Sequence, residues 1–267
     1  MNLVIALPKE AAPLIESWSL KNIQHTPFPL YTANNRHLII SGMGGENAAK
    51  TTQYLIDHSP RKNQPWLNLG IAGHGSLARG KIFSVGRVIS QGKPEVFYPP
   101  KIISSPIPVS ELTSCVEPVS TYQKNMGFDM EAHAFYRTAS TASTRELVQV
   151  LKIVSDNPEF PICEFKPAMA TQWIRENLSI IDDWVSKLEE MAKEIMPCLE
   201  VKKHLDRMTK KGGFSATRKI QLSTLLQQSD ALGINLDDVE MVFEAASTPK
   251  LAIQAVENFL YQKRVLP

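Results

Sequence analysis

Carboxylates recur in this chain where an apolar run gives way to a turn. Glu10 sits in "ALPKEA" after the opening apolar run, Glu131 in "GFDMEAHAF", and Asp156 in "VSDN" after a later apolar run. Two glycine-bearing stretches, "SGMGGENAA" from Ser41 and "GIAGHG" from Gly70, fall at similar points. In an open α/β sheet, ligands bind just beyond the carboxyl ends of the strands. Acids gathered there would serve acid–base work on a small molecule. Each also has a purely structural explanation, because an acid at a strand end caps or charges the first turn of the next helix. The "GMGG" turn either holds an anion on its backbone N–H groups or only reverses the chain. Gly42, Gly44 and the nearby Arg36 are its candidate anion site.

The apolar pattern predicts the elements that carry these residues. Residues 1–7 read as a buried first strand, and 9–20 as a helix with Pro13 near its first turn. Residues 28–32 and 37–41 read as paired strands joined by the turn "ANNR". A helix is expected over 46–58, a short strand over 66–69 ended by "GIAGHG", and an alternating strand over 81–91. Residues 92–118 hold six prolines and are expected to be irregular, in the manner of a lid. Residues 130–138 read as a helix, 147–154 as an apolar strand, and 168–196 as one long amphipathic helix. Strands interleaved with helices predict an α/β fold.

After Pro197 glycines and strand-like runs nearly vanish. Residues 199–209, 215–232, 236–245 and 249–261 all read as helices, broken at "KKGG", "GIN" and "STP". The expected domains are therefore an α/β domain over 1–196 and a small helical domain over 197–267. Within 202–219 seven basic residues face one acid, Asp206. That excess could track a nucleic-acid backbone, but a solvated helix face is the expected reading. Helical modules of this kind also serve oligomerisation or partner docking.

Composition narrows the function classes. Of 267 residues 43% are hydrophobic and 21% charged, which is ordinary for a globular protein with a core, and the net charge of +2 points to neither nucleic acid nor membrane. The three cysteines, Cys115, Cys163 and Cys198, are far apart and lack metal-ligand spacing, so no metal is expected and reduced cytosolic thiols are. The opening residues do not resemble a signal peptide, and no apolar run approaches the roughly 20 residues that span a bilayer. A cytoplasmic location is the resulting expectation.

The ordered set of motifs resembles the nucleoside phosphorylase/nucleosidase superfamily, the branch holding purine nucleoside phosphorylases and methylthioadenosine/S-adenosylhomocysteine nucleosidases. The order is a first strand with a nearby glutamate, then "SGMG", "GIAG", "DMEA" and a strand ending in Ser-Asp, and it covers roughly residues 1–196. The resemblance implies a three-layer α/β fold with a central mixed sheet and cleavage of the N-glycosidic bond of a purine nucleoside or 5′-modified adenosine. It implies that Met130 packs on the ribose and Glu131 accepts hydrogen bonds from its hydroxyls, while Asp129 keeps a helix-start role. Two acceptor oxygens suit a vicinal diol. It further implies that Asp156, oriented by Ser155, protonates the departing base, that Glu10 directs water, and that Ile71, Ala72 and Gly73 form the turn beside the ribose.

Phe160, Phe165 and Tyr122 are candidate base contacts, and core packing explains the two phenylalanines equally well. His74 is expected to be solvated, and His133 lies on another helix face from Glu131. Ile71 stands where the family often has Ser or Thr, and "WLNLG" lacks the phosphorylases' arginine. Hydrolysis is therefore expected over phosphorolysis, although Arg36 and Arg79 are within the repertoire for phosphate as a co-substrate. Lys81 and Ser84 depart from the family's acidic turn. That departure leaves open a nucleoside-binding or nucleic-acid-associated regulatory protein without turnover. No cofactor is implied, and a homodimer is.

Overall fold

The computed structural model describes residues 1–58, 64–195, 199–210 and 212–265. The chain divides into two compact units, Met1–Ala192 and Lys193–Pro267. The boundary expected at 196/197 lies outside the described residues.

The first unit opens with β1 (Asn2–Ile5) and α1 (Pro8–Ser17). Then come β2 (Lys21–Gln24), β3 (Leu30–Ala33) and β4 (Arg36–Ile40), successive antiparallel neighbours. Asn34 and Asn35 turn β3 into β4 with φ of +48° and +65°, the left-handed conformation that asparagine tolerates and tight hairpins need. Next are α2 (Gly45–His58), β5 (Trp66–His74), β6 (Ile82–Ser90), β7 (Lys93–Phe97), β8 (Val109–Ser114) and β9 (Met126–Asp129). The unit ends with α3 (Ala132–Ala139), β10 (Val148–Asp156), α4 (Pro167–Glu176) and α5 (Leu178–Ile195), which runs on past the unit's last residue.

The strands form one mixed sheet. β4, β1, β5 and β10 run parallel in that order, so their carboxyl ends meet at one edge. β5 also pairs with β9, and β10 continues through β6 and β8 back to β9, closing five strands into a ring. Alternation along the strands feeds two cores. Leu3, Ile5, Leu67, Leu69, Leu151 and Ile153 pack under α1, α4 and α5 through Leu14, Trp173, Ile174 and Ile181. Val4, Ile39, Ala72, Val150 and Val154 pack with Leu55 of α2 and with Phe135 and Tyr136 of α3. Helices thus cover both faces of the sheet.

Four expectations are corrected. The strand at Trp66 does not stop at Leu69 but runs through "GIAGH". The proline-rich stretch 92–118 contains two strands, and Pro94 is tolerated because β7 pairs only with β6 at an edge. The helix expected over 168–196 breaks at Asn177, whose side chain donates to the carbonyls of Trp173 and Gly80. β2 and β9 are short strands that the pattern did not reveal.

The second unit holds α6 (Leu199–Thr209), α7 (Ala216–Ala231), α8 (Leu236–Glu244) and α9 (Pro249–Val265). Val201, Leu222, Leu226, Val239, Phe243 and Val256 form its core. His204 and Arg207 reach from α6 to Glu240 and Asp237. These acids and His204 lie close enough together to suggest a metal site. The Arg207 guanidinium, 2.6 Å from Glu240 Oε2, already supplies a cation there. Part of the basic charge in 202–219 is therefore paired within the unit, and Lys211 lies outside the described residues. No helix among the described residues is long and apolar enough to cross a membrane.

Candidate active site

At the carboxyl edge of β1, β5 and β10 lies a cavity of about 180 Å³. Glu10, Asp129, Glu131, Asp156 and Glu117 line it, together with Met130, Ile71, Ala72, Gly73, Ser155 and Phe165. Among the described residues no Lys, Arg or His lines it. A second cavity of about 740 Å³ shares Met43, Cys115 and Met130 with the first.

Glu10 is 2% exposed. Its carboxylate accepts the N–H groups of Leu7 at 2.9 Å and Ile71 at 3.0 Å. Burial raises its pKa to about 7, against the lowering effect of those N–H groups and of Lys152. Gly70 packs close beneath it, where an added Cβ would stand 3.3 Å from Glu10 Oε1. Gly73 plays the same part for Asp156, whose Oδ2 would lie 2.6 Å from an added Cβ. The glycines that looked like strand breakers instead let β5 pass flush beneath two carboxylates.

Glu131 heads α3, and its Oε1 accepts the N–H of Gly44 at 2.7 Å. The glycine turn does hold an anion, the chain's own carboxylate. Asp129 caps the same helix by accepting the Ala132 N–H at 2.9 Å. It also accepts the Ser114 hydroxyl at 2.6 Å and pairs with Lys152 Nζ at 2.8 Å. Lys152 is wholly buried in β10. Burial pulls its ammonium down, but the fields of Asp129, Glu131 and Glu10 outweigh this and raise its pKa. Burial is also the main cause raising the Glu131 carboxyl, with Asp129 adding to it and Lys152 opposing. One buried cation thus sits among three buried acids, an arrangement that keeps charge in the interior only because it is paired.

Asp156 accepts the hydroxyls of Ser155 and of Tyr122, the latter at 2.5 Å. Tyr122 therefore meets Asp156 rather than lining the cavity as a base contact. Phe165 reaches the cavity, packed near Trp173. Phe160 does not: it is 43% exposed and lies under the Arg79 guanidinium. Arg79 is held by Phe160, Trp173 and Glu164.

Arg36 is not brought to the site either. It begins β4, at the opposite end from Gly42, and forms a two-point pair with Glu189 at 3.0 and 2.8 Å. His74 is buried, not solvated: its Nδ1 accepts the N–H groups of Ser76 and Leu77, and its Nε2 meets Ser110. His133 is likewise buried, with Nε2 on the Glu95 carbonyl.

Lys152 went unnoticed in the sequence. Its signal was a lysine inside "VQVLKIVSD", since a charge flanked by apolar residues in a buried strand requires a buried partner.

No protein-family model matches the chain, and no curated protein matches it. Solved structures do. One is a 5′-methylthioadenosine/S-adenosylhomocysteine nucleosidase from Neisseria meningitidis in complex with methylthio-immucillin-A, at 18% identity and TM-score 0.55, covering 67% of this chain and 97% of that one. A nucleosidase of the same description from Colwellia psychrerythraea, in complex with adenine, has 18% identity and TM-score 0.55, covering 68% and 94%. A third, from Chlamydia trachomatis and bound to MTA, has 20% identity and TM-score 0.53, covering 67% and 95%. The chain shares the fold of these nucleosidases, which lie in the nucleoside phosphorylase/nucleosidase superfamily.

Proposed function

We propose that this chain hydrolyses the N-glycosidic bond of a purine nucleoside or a 5′-modified adenosine. The observation that carries the proposal is one cavity walled by Glu10, Glu131 and Asp156 without a basic side chain among the described residues. Glu131, held by Gly44, accepts hydrogen bonds from the ribose diol, and Met130 packs beneath the sugar. Asp156 gives its proton to the purine as the bond to C1′ breaks, so that the bonding electrons leave with a neutral base. A positioned carboxyl contributes about 10²–10⁴-fold in such a step. Water adds to the resulting oxocarbenium carbon and passes a proton to Glu10, whose pKa of about 7 suits a base at neutral pH. No step calls on a metal or organic cofactor.

Water is favoured over phosphate by charge. A phosphate dianion wants charge-assisted donors. Gly44 N–H is given to Glu131, Arg36 to Glu189, and Arg79 to Glu164 and two aromatic rings. The acids on the cavity wall supply no charge-assisted donor for the dianion. The ligands named for the solved structures, MTA and adenine, support an adenine nucleoside. The adjoining cavity beyond Met43 and Met130 offers room for a substituent on the ribose. The test is a panel of purine nucleosides and 5′-substituted adenosines, incubated with and without phosphate. Free base and free sugar support the proposal, and ribose 1-phosphate overturns it.

A further inference from the structure

Tyr122 is absent from the cavity wall, yet its hydroxyl donates to Asp156 Oδ2 at 2.5 Å. Ser155 donates to the other oxygen. The carboxyl is therefore held at both oxygens, with lone pairs left for the cavity side. The Tyr122 ring lies against bare backbone: a Cβ on Gly73 would stand 2.9 Å from its Cε1. The next residue, Gln123, is seated still more closely on Gly75, where a Cβ would meet its carbonyl oxygen at 1.9 Å. The ring also meets Phe128 in a T-shaped arrangement, centroids 6.1 Å apart.

The same hydroxyl lies beside the backbone N–H of Ile162. Two wall segments thus converge on it. One carries Glu117, Pro118 and Val119, and the other carries Ile162 and Phe165. Burial, followed by the hydrogen bond to Asp156, pushes the phenol well above its usual range. Tyr122 therefore keeps its proton, and its role as donor, at neutral pH.

We propose that Tyr122 is the positioning residue for the acid Asp156, fixing the carboxyl plane from behind the cavity and tying the two wall segments to it. The assignment rests on the proposed function. Without the phenol, Asp156 is held through one oxygen and its terminal torsion, broad by nature, is released. Misaiming a reacting group by about 1 Å costs on the order of 10²-fold in rate. Glu131 takes its own support from the Gly44 N–H, so ribose binding through it is expected to persist.

The experiment is steady-state kinetics of the wild type, Tyr122→Phe, Asp156→Asn and the double variant on the best nucleoside of the panel. Tyr122→Phe removes one oxygen atom and keeps the ring against Gly73 and Phe128. Its kcat is expected to fall about 10- to 100-fold with KM within about threefold. In the double variant the loss should equal that of Asp156→Asn alone, because the phenol acts only through the carboxyl. Wild-type kcat in Tyr122→Phe overturns the assignment while the proposed function stands. So does an effect confined to KM, or a double variant whose losses multiply. A wild type inactive on the whole panel overturns the proposed function itself, and this assignment with it.

Discussion

The carboxylate of Glu131 accepts the backbone N–H of Gly44 at 2.7 Å, joining two motifs that lie 87 residues apart. Gly44 has φ of +96°, and an added Cβ would meet nothing within 4 Å. Substitution there strains the backbone without crowding it. Gly44→Ala is expected to lower stability by about 1–2 kcal/mol. As the turn relaxes, the N–H should lose its aim at Glu131. KM for the nucleoside should rise severalfold with little change in kcat. Thermal melting and initial-rate kinetics check both, and an unchanged melting point with unchanged KM would contradict the role of this turn.

Lys152 and Asp129 form the most deeply buried ion pair described, at 2.8 Å with side chains 2% and 0% exposed. Removing one partner leaves a buried charge uncompensated, which costs about 3–5 kcal/mol. Lys152→Met is expected to lose stability in that range, whereas Lys152→Met with Asp129→Asn should recover part of it. Urea unfolding of the two variants measures the difference. Equal midpoints would show that the pair is not coupled.

Glu10 makes activity and stability respond oppositely to pH. Its pKa is raised from 4.5 to about 7 by burial, so the folded state holds a proton that the unfolded state has lost. The stability tied to that proton is fully present below pH 4.5, declines as pH rises, and is gone above about 7. It amounts to about 3 kcal/mol. The proposed base is ionised over the same interval, so kcat/KM should climb through pH 7 as stability falls. Glu10→Gln should flatten this part of the stability–pH curve and remove the kinetic limb. Denaturation at pH 5 and 8, with a pH–rate profile, tests the sign. A wild type whose stability rises over that interval by the same route would contradict it.

Much of the fold was legible because periodicity is written in apolar residues. The apolar run in "VQVLKIVSD" and the turn "ANNR" marked a strand and a hairpin, whose observed ends lie within about two residues of those expected. What failed were places where a local signal answers to a distant partner. Gly70 and Gly73 looked like the end of a strand, yet they are small because Glu10 and Asp156 cross above them. Arg36 looked close to the glycine turn in sequence, but a strand separates them and Glu189 claims the arginine. His74 looked like a loop residue until β5 proved to be nine residues long. The acids were visible as strand-end motifs, whereas Lys152 and the grip of Tyr122 on Asp156 appear only once the chain is folded.

The central claim is that the acid-lined cavity breaks an N-glycosidic bond with water. The most direct measurement follows a purine nucleoside panel by chromatography, with the sugar product identified, in phosphate-free buffer and again with millimolar phosphate. Free purine and free sugar at a rate independent of phosphate are predicted, with the rate lowered about 10²–10⁴-fold in Asp156→Asn. Formation of ribose 1-phosphate, or no cleavage of any nucleoside that the protein binds, would contradict the claim.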